Sequence, residues 1–269
     1  MKIKVALIGN PNVGKSVIFN NLTGSRQHTG NWPGKTVEKK EGYYTYKGYE
    51  FEVVDLPGVY SLNALSDDER VAREYLIDHR PDIVVDIVNA GQLERNLYLT
   101  LLLIEYQLNL IIVLNMQDVV RAKGDRIDTD KLSEILRAPI VSTTATKKKG
   151  MEELKEEILR AVPVEVLERD GSGIMHPPGE DEPDDHLHYH PRFHHHGEYE
   201  RLRPPAIKYD RSIERQLKRI VAMLEEEERS ILDRFPPRWL ALRILERDPD
   251  ILSMIQDPAL KNRLLEVVL

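Results

Sequence analysis

Short apolar runs alternate with segments of helical periodicity along the first 163 residues. Runs at 3–8, 43–46, 51–54, 83–88, 110–114 and 140–142 have the length and β-branched content of strands. Between them, apolar positions recur at helical spacing over 15–22, 67–79, 93–106, 129–136 and 151–161. Strands alternating with helices predict an α/β fold with a doubly wound, mostly parallel sheet and helices on both faces. The second and third strands are separated only by Lys47-Gly48-Tyr49-Glu50, which predicts one antiparallel hairpin. Pro163 ends the last helix of this region.

The pattern then changes. Residues 164–205 are rich in Pro, Gly, acidic residues and His and lack apolar periodicity, as expected of a linker or insertion that is disordered. Helical spacing returns with Ile213, Leu217, Ile220 and Leu224. Pro236-Pro237 opens a new segment containing Trp239, Leu242, Ile244 and Leu245, and Pro249 and Pro258 introduce two more short helices. The expected organisation is a nucleotide-binding domain at 1–163, a His-rich insertion at 164–205 and a small all-α domain at 206–269.

The chemistry is concentrated at strand ends. Gly9 to Ser16 read G-N-P-N-V-G-K-S directly after the first strand. Glycines let such a loop turn so that backbone N–H groups converge on phosphate oxygens at a helix N-terminus. Lys15 is placed to reach the β- and γ-phosphates and Ser16 to ligate Mg²⁺. The candidate nucleotide contacts of this loop are Asn10, Asn12, Val13, Gly14, Lys15, Ser16 and Val17. Asp55, at the end of the third predicted strand and followed by Leu56-Pro57-Gly58, is a second Mg²⁺ candidate. Asn115-Met116-Gln117-Asp118 ends the run at 110–114, and Asn115, Met116 and Asp118 are further candidate nucleotide contacts. A carboxylate there can accept hydrogen bonds from guanine N1–H and the exocyclic amine, which adenine cannot offer in that arrangement. GTP or GDP is therefore favoured, and an ATPase reading is weakened.

Composition adds boundaries. The 269 residues suffice for a large domain with a smaller companion, and the absence of Cys removes disulfide and thiolate chemistry. A formal charge of -7 argues against nonspecific nucleic-acid binding. The longest apolar stretch, 97–116, is broken by Glu105, Gln107 and Asn109, and the chain starts on a strand without a signal-peptide pattern, so a soluble chain is expected.

The motifs together resemble the N-terminal GTPase region of ferrous iron transport protein B. Besides G-N-P-N-V-G-K-S, the resemblance rests on Gly30-Asn31-Trp32-Pro33-Gly34-Lys35-Thr36-Val37-Glu38, on D-L-P-G-V-Y-S-L from Asp55 to Leu62, and on Leu93-Glu94-Arg95-Asn96-Leu97-Tyr98-Leu99-Thr100. Residues 206–269 more loosely resemble that family's helical domain. The resemblance implies a regulatory GTPase module at the cytoplasmic face of the cell membrane. Its partners would be guanine nucleotide, a permease for Fe²⁺ that follows in a longer protein, and further copies of itself. Nucleic acid is not expected as a partner.

By the same resemblance Thr36 is the switch threonine that completes Mg²⁺ coordination, and Lys15, Thr36 and Gly58 form the catalytic set. Asn12 and backbone carbonyls of Gly30 and Trp32 would hold K⁺, which could neutralise developing charge as an arginine finger does, an effect of about 10³ to 10⁵ in rate. Thr144 and Ala145 would meet the guanine, and Met116 would pack on its ring. Val59, where Ras-like enzymes carry a water-orienting Gln, has no hydrogen-bonding side chain, so hydrolysis should be slow. In Asp86-Ile87-Val88-Asn89 the Asn and Asp are exchanged relative to expectation.

A freestanding GTPase of ribosome or RNA assembly shares the core motifs and is the alternative. The cluster His186, His188, His190, His194, His195 and His196, beside Asp184 and Asp185, is not explained by the resemblance. Its ligands suit Fe²⁺, Zn²⁺ or Ni²⁺, as a metal sensor or as a polar linker that binds metals weakly.

Overall fold

The computed structural model describes residues 2–63, 65–163, 166–167 and 207–267. Seven strands form one sheet in the order β2-β3-β4-β1-β5-β6-β7. β1 (Ile3–Gly9) lies between β4 (Tyr49–Asp55) and β5 (Ile83–Asn89), parallel to both, and β6 (Leu110–Asn115) and β7 (Ile140–Ser142) extend the parallel part. Both faces of the central strands are buried, which explains their continuous apolar runs.

The antiparallel part is larger than one hairpin. β3 (Glu38–Tyr46) pairs with β4 as expected, but β2 (Gln27–Asn31) adds a further antiparallel strand on its outer side. Gln-His-Thr-Gly-Asn has no apolar alternation because this edge strand has no face in a core. Its backbone pairing with β3 holds it there. At the base of this pair, a Cβ on Gly42 would lie 2.5 Å from Thr23 Cγ2, so that position requires glycine.

Helices α1 (Lys15–Thr23) and α6 (Met151–Arg160) cover one face, burying Ile18, Phe19, Leu22, Leu154 and Ile158 against Val5, Leu7, Val85 and Val113. Helices α2 (Asp67–Asp78) and α3 (Leu93–Glu105) cover the other. Short helices α4 (Gln117–Ala122) and α5 (Thr129–Leu136) follow β6. α4 escapes the sequence pattern because its six residues cannot display a periodic face.

The C-terminal helices are α7 (Arg211–Glu227), α8 (Arg229–Arg234), α9 (Pro237–Leu245), α10 (Pro249–Met254) and α11 (Pro258–Val267). Asp210 caps α7 by accepting from the backbone N–H groups of Ser212 and Ile213. Pro237 and Pro249 stand at helix starts, where a missing N–H has no cost. These helices do not hold a separate core. Leu217, Ile220, Leu224 and Trp239 belong to the same apolar cluster as Ala6, Ile8, Val71 and Leu103. The Trp239 ring lies 4.5 Å from Tyr106 at the end of α3. Arg73 of α2 forms a buried ion pair of 2.7 Å with Asp248, which also caps α10. Arg243 donates to Asn63 at 2.8 Å, and Arg80 donates to the carbonyls of Asp233 and Arg234. No helix among the described residues is long and apolar enough to cross a membrane.

The exchanged Asp86 and Asn89 have a structural reason. Asp86 lies inside β5 facing α3, where it accepts a 2.5 Å hydrogen bond from Thr100, while Asn89 ends the strand by accepting from Gly91 N–H. Burial pushes the Asp86 carboxyl up to about 7, partly opposed by the Thr100 hydrogen bond. The native protein therefore binds this proton more tightly than the unfolded chain. Its contribution to stability is complete below the ordinary carboxylate pKa and is lost as pH rises toward 7, by up to about 1.4 kcal/mol per pH unit. Urea denaturation of Asp86→Asn across pH 4 to 7 should show a flatter decline than the parent; parallel curves would exclude a titrating Asp86.

Candidate nucleotide-binding site

The loop between β1 and α1 is shaped by its neighbours. A Cβ on Gly9 would lie 2.4 Å from the Ile87 carbonyl of β5. Asn12 and Gly14 have φ of 65° and 89°, a left-handed conformation that costs glycine nothing and is tolerated by asparagine. A Cβ on Gly14 would meet Asn115 Nδ2 at 2.4 Å. α1 begins without a side-chain cap and with no acidic residue in its first turn, so the positive end of its dipole is left for an external anion. Ser16 is exposed, Val17 half-buried and Val13 buried in the core beneath the loop. Asn10 is buried and its Oδ1 has no hydrogen-bond partner.

The segment after β4 runs against this loop. Val59 N–H donates to the Gly9 carbonyl at 3.2 Å, and a Cβ on Gly58 would approach Pro11 at 3.2 Å. Asp55, almost fully buried, forms an ion pair with Lys15 Nζ. The Val59 side chain is buried in the core, so it offers nothing to a water molecule. The exposed Ser16 hydroxyl and the Asp55 carboxylate are hard oxygen donors, the kind Mg²⁺ takes in ones and twos alongside phosphate oxygens. Among the described residues no group of three or more His, Cys, Asp or Glu converges.

Of residues 30–32, which span the carbonyl donors to K⁺ named above, the first two lie in β2. Gly30 and Asn31 pair with Lys39 and Glu38 in the β2–β3 ladder. Trp32 starts a turn in which its N–H donates to the Val37 carbonyl (2.9 Å) and its own carbonyl accepts from Lys35 N–H (3.0 Å). That leaves the Trp32 carbonyl one lone pair for any cation. Thr36 lies within the turn and is exposed.

At the other end, the Asn115 side chain ties three segments of the protein together. Its Nδ2 donates to the Val13 carbonyl at 2.9 Å, and its Oδ1 accepts from Thr143 Oγ1 and Ala145 N–H, each at 3.0 Å. Of the two residues placed at the base, Ala145 donates its N–H to Asn115 and Thr144 donates its N–H to the Lys149 carbonyl. Ala145 is also fixed to α1 through Asn21, whose amide donates to its carbonyl. Met116 adopts a left-handed φ of 62° and turns the chain into α4, which carries Asp118 in its first turn. Lys147 donates to Asp118 at 3.0 Å, and this hydrogen bond holds the carboxyl below its ordinary range. Asn21, Thr143 and Lys147 join the site unannounced, since the sequence places none of them in a phosphate or base motif. The histidine cluster from His186 to His196 lies outside the described residues.

A mostly parallel sheet with a phosphate loop after β1, an aspartate ending β4 and an N-x-x-D turn after β6 defines a P-loop GTPase fold with helices appended. Residues 3–158 match the family described as ferrous iron transport protein B, and residues 209–268 match that described as the FeoB cytosolic helical domain. The chain belongs to the ferrous iron transport protein B family.

Among curated relatives, the Fe(2+) transporter FeoB of Methanocaldococcus jannaschii is 41% identical over 98% of this chain and 34% of its own length. That of Escherichia coli K12 is 45% identical over 59% of this chain and 21% of its own. The chain thus spans about a third or less of these transporters. A GDP-bound point mutant of S. thermophilus NFeoB superposes with a TM-score of 0.78 at 32% identity, covering 100% of this chain and 88% of that one. The cytosolic domain of T. maritima FeoB in its GMPPNP form gives 0.73 at 31% identity, covering 99% and 96%.

Asn115→Ala should lower stability by about 2–3 kcal/mol, from three hydrogen bonds at roughly 1 kcal/mol each. Thermal and urea unfolding measure this; a loss under about 1 kcal/mol would mean that the loops hold together without the clasp.

Proposed function

We propose that this chain binds GTP and GDP and slowly hydrolyses GTP, as the cytoplasmic regulatory module of a ferrous iron membrane transporter. The observation that carries this reading is the convergence of the phosphate loop, Asp55 and the Asn115–Asp118 turn at one sheet edge in a chain of this family. The family match also favours it over a freestanding GTPase of ribosome or RNA assembly. GDP- and GMPPNP-bound forms of similar structures support a guanine nucleotide.

In this reading Lys15 leaves Asp55 for the β- and γ-phosphates, to which the loop N–H groups and the α1 N-terminus also contribute. Ser16, Asp55 and Thr36 hold Mg²⁺, which supplies charge neutralisation on the phosphates. Asn12, with the carbonyls of Gly30 and Trp32, holds K⁺. Gly58, pressed against Pro11, presents its backbone to the γ-phosphate. The buried, apolar Val59 cannot orient the attacking water, which keeps the rate low. At the base, Asp118 reads guanine once Lys147 yields, Met116 covers the ring, and Asn115 acts by bracing the loops around it. The segments around Thr36 and from Asp55 to α2 respond to the γ-phosphate and move the C-terminal helices, and through them the permease.

Asp118→Asn should move preference from guanine toward xanthine nucleotides by about 10² or more, because the amide presents a donor where guanine presents one. Competition binding measures it, and an unchanged guanine preference would overturn the base assignment. Replacing K⁺ by Na⁺ should lower kcat at least about tenfold in the parent chain and leave Asn12→Ala unchanged; equal sensitivity in both would remove Asn12 from the cation site.

A further inference from the structure

Trp32 is the one large apolar side chain in the polar stretch that joins β2 to β3, and it is buried. Its ring meets Tyr75 of α2 edge to face at 5.5 Å, and Tyr75 is stacked in turn on His79 at 4.6 Å. Lys39 lies over the indole at 5.1 Å, and Lys35, three residues along, pairs with Glu74 of α2 at 3.1 Å. The turn carrying Thr36 is thus docked on α2 by an aromatic contact with an ion pair beside it. It is also closed on itself by the Trp32 N–H to Val37 carbonyl bond. Thr36 sits inside that closed turn, so it cannot travel far unless the turn opens or the indole leaves its seat. The seat is imperfect: the indole N–H is buried without an acceptor, a deficit that water would relieve on release.

We propose that the Trp32 indole is a latch holding the Thr36 turn on α2, released when a guanine nucleotide bearing a γ-phosphate draws Thr36 to the phosphate site. Trp32 acts here as a positioning residue, through Thr36, and the inference rests on the nucleotide reading given above. Docking and γ-phosphate binding compete for one segment, so weakening the dock favours the triphosphate state selectively. A residue needed only for stability would change triphosphate and diphosphate affinities alike.

The chain contains two tryptophans, so 5-fluorotryptophan labelling gives two ¹⁹F resonances, assigned with Trp32→Phe. Addition of GMPPNP with Mg²⁺ should move the Trp32 resonance to a solvent-exposed position and leave Trp239 in place, whereas GDP should move neither. Tyr75→Leu should raise the ratio of GMPPNP to GDP affinity about threefold or more. The isosteric surface change Glu74→Gln should shift the ratio in the same direction and provides the test if Tyr75→Leu does not fold. A Trp32 resonance unmoved at saturating GMPPNP overturns the latch alone, as does an equal change in both affinities. Failure of either nucleotide to bind the parent chain overturns the nucleotide reading and the latch with it.

Discussion

The meeting of the two helical regions is fixed in register by a buried ion pair set in their shared apolar core. Arg73 and Asp248 are 3% and 7% exposed, separated by 175 positions in the chain, and each lacks the water that would otherwise solvate its charge. A buried charge without its partner costs about 3–5 kcal/mol, so α2 and the α9–α10 corner are penalised in any register but the one that joins them. Trp239 lies beside the guanidinium at 5.6 Å and continues the contact to Tyr106, so charge pairing and apolar packing select the same arrangement. The helices that follow residue 207 thereby complete the layer over α2 and α3, and both regions draw stability from one core.

That shared core bears on the nucleotide site because α2 is where it is anchored. The chain leaving Asp55 passes Gly58 and Val59, reaches Asn63, which Arg243 holds, and enters α2 within reach of Asp248. On the other side of the site, Asn115 joins the phosphate loop to the Thr143–Ala145 turn. One end of the site is fixed by a clasp internal to the sheet edge, and the other rests on side chains from the C-terminal helices. The two ends therefore differ in how readily they can respond to a ligand.

Most of the sheet was legible because burial on both faces forces unbroken apolar runs, and the helix starts at Pro237, Pro249 and Pro258 because proline is tolerated there. β2 was not legible, since an edge strand made of Gln27, His28, Thr29, Gly30 and Asn31 is held by backbone pairing that any sequence can supply. The shared core was hidden for a related reason: nothing in the local sequence marks Arg73, Arg243 or Asp248 as buried, because their partners come from distant segments. At the site, the phosphate loop and Asp55 declare themselves through local motifs. Asn115 declares itself through the N-x-x-D spacing, but its hydrogen bonds to Val13 and Thr143 join segments from three strand ends, a relationship that no local spacing encodes. Asp86 and Asn89 are a smaller case of the same kind, intelligible once Thr100 and Gly91 are placed opposite them.

Because the halves meet through a common core, their mutual placement does not rely on the covalent thread between residues 167 and 207. The contacts that set the joint lie in residues before 167 and after 207, so the two regions hold each other by surfaces far apart in the sequence.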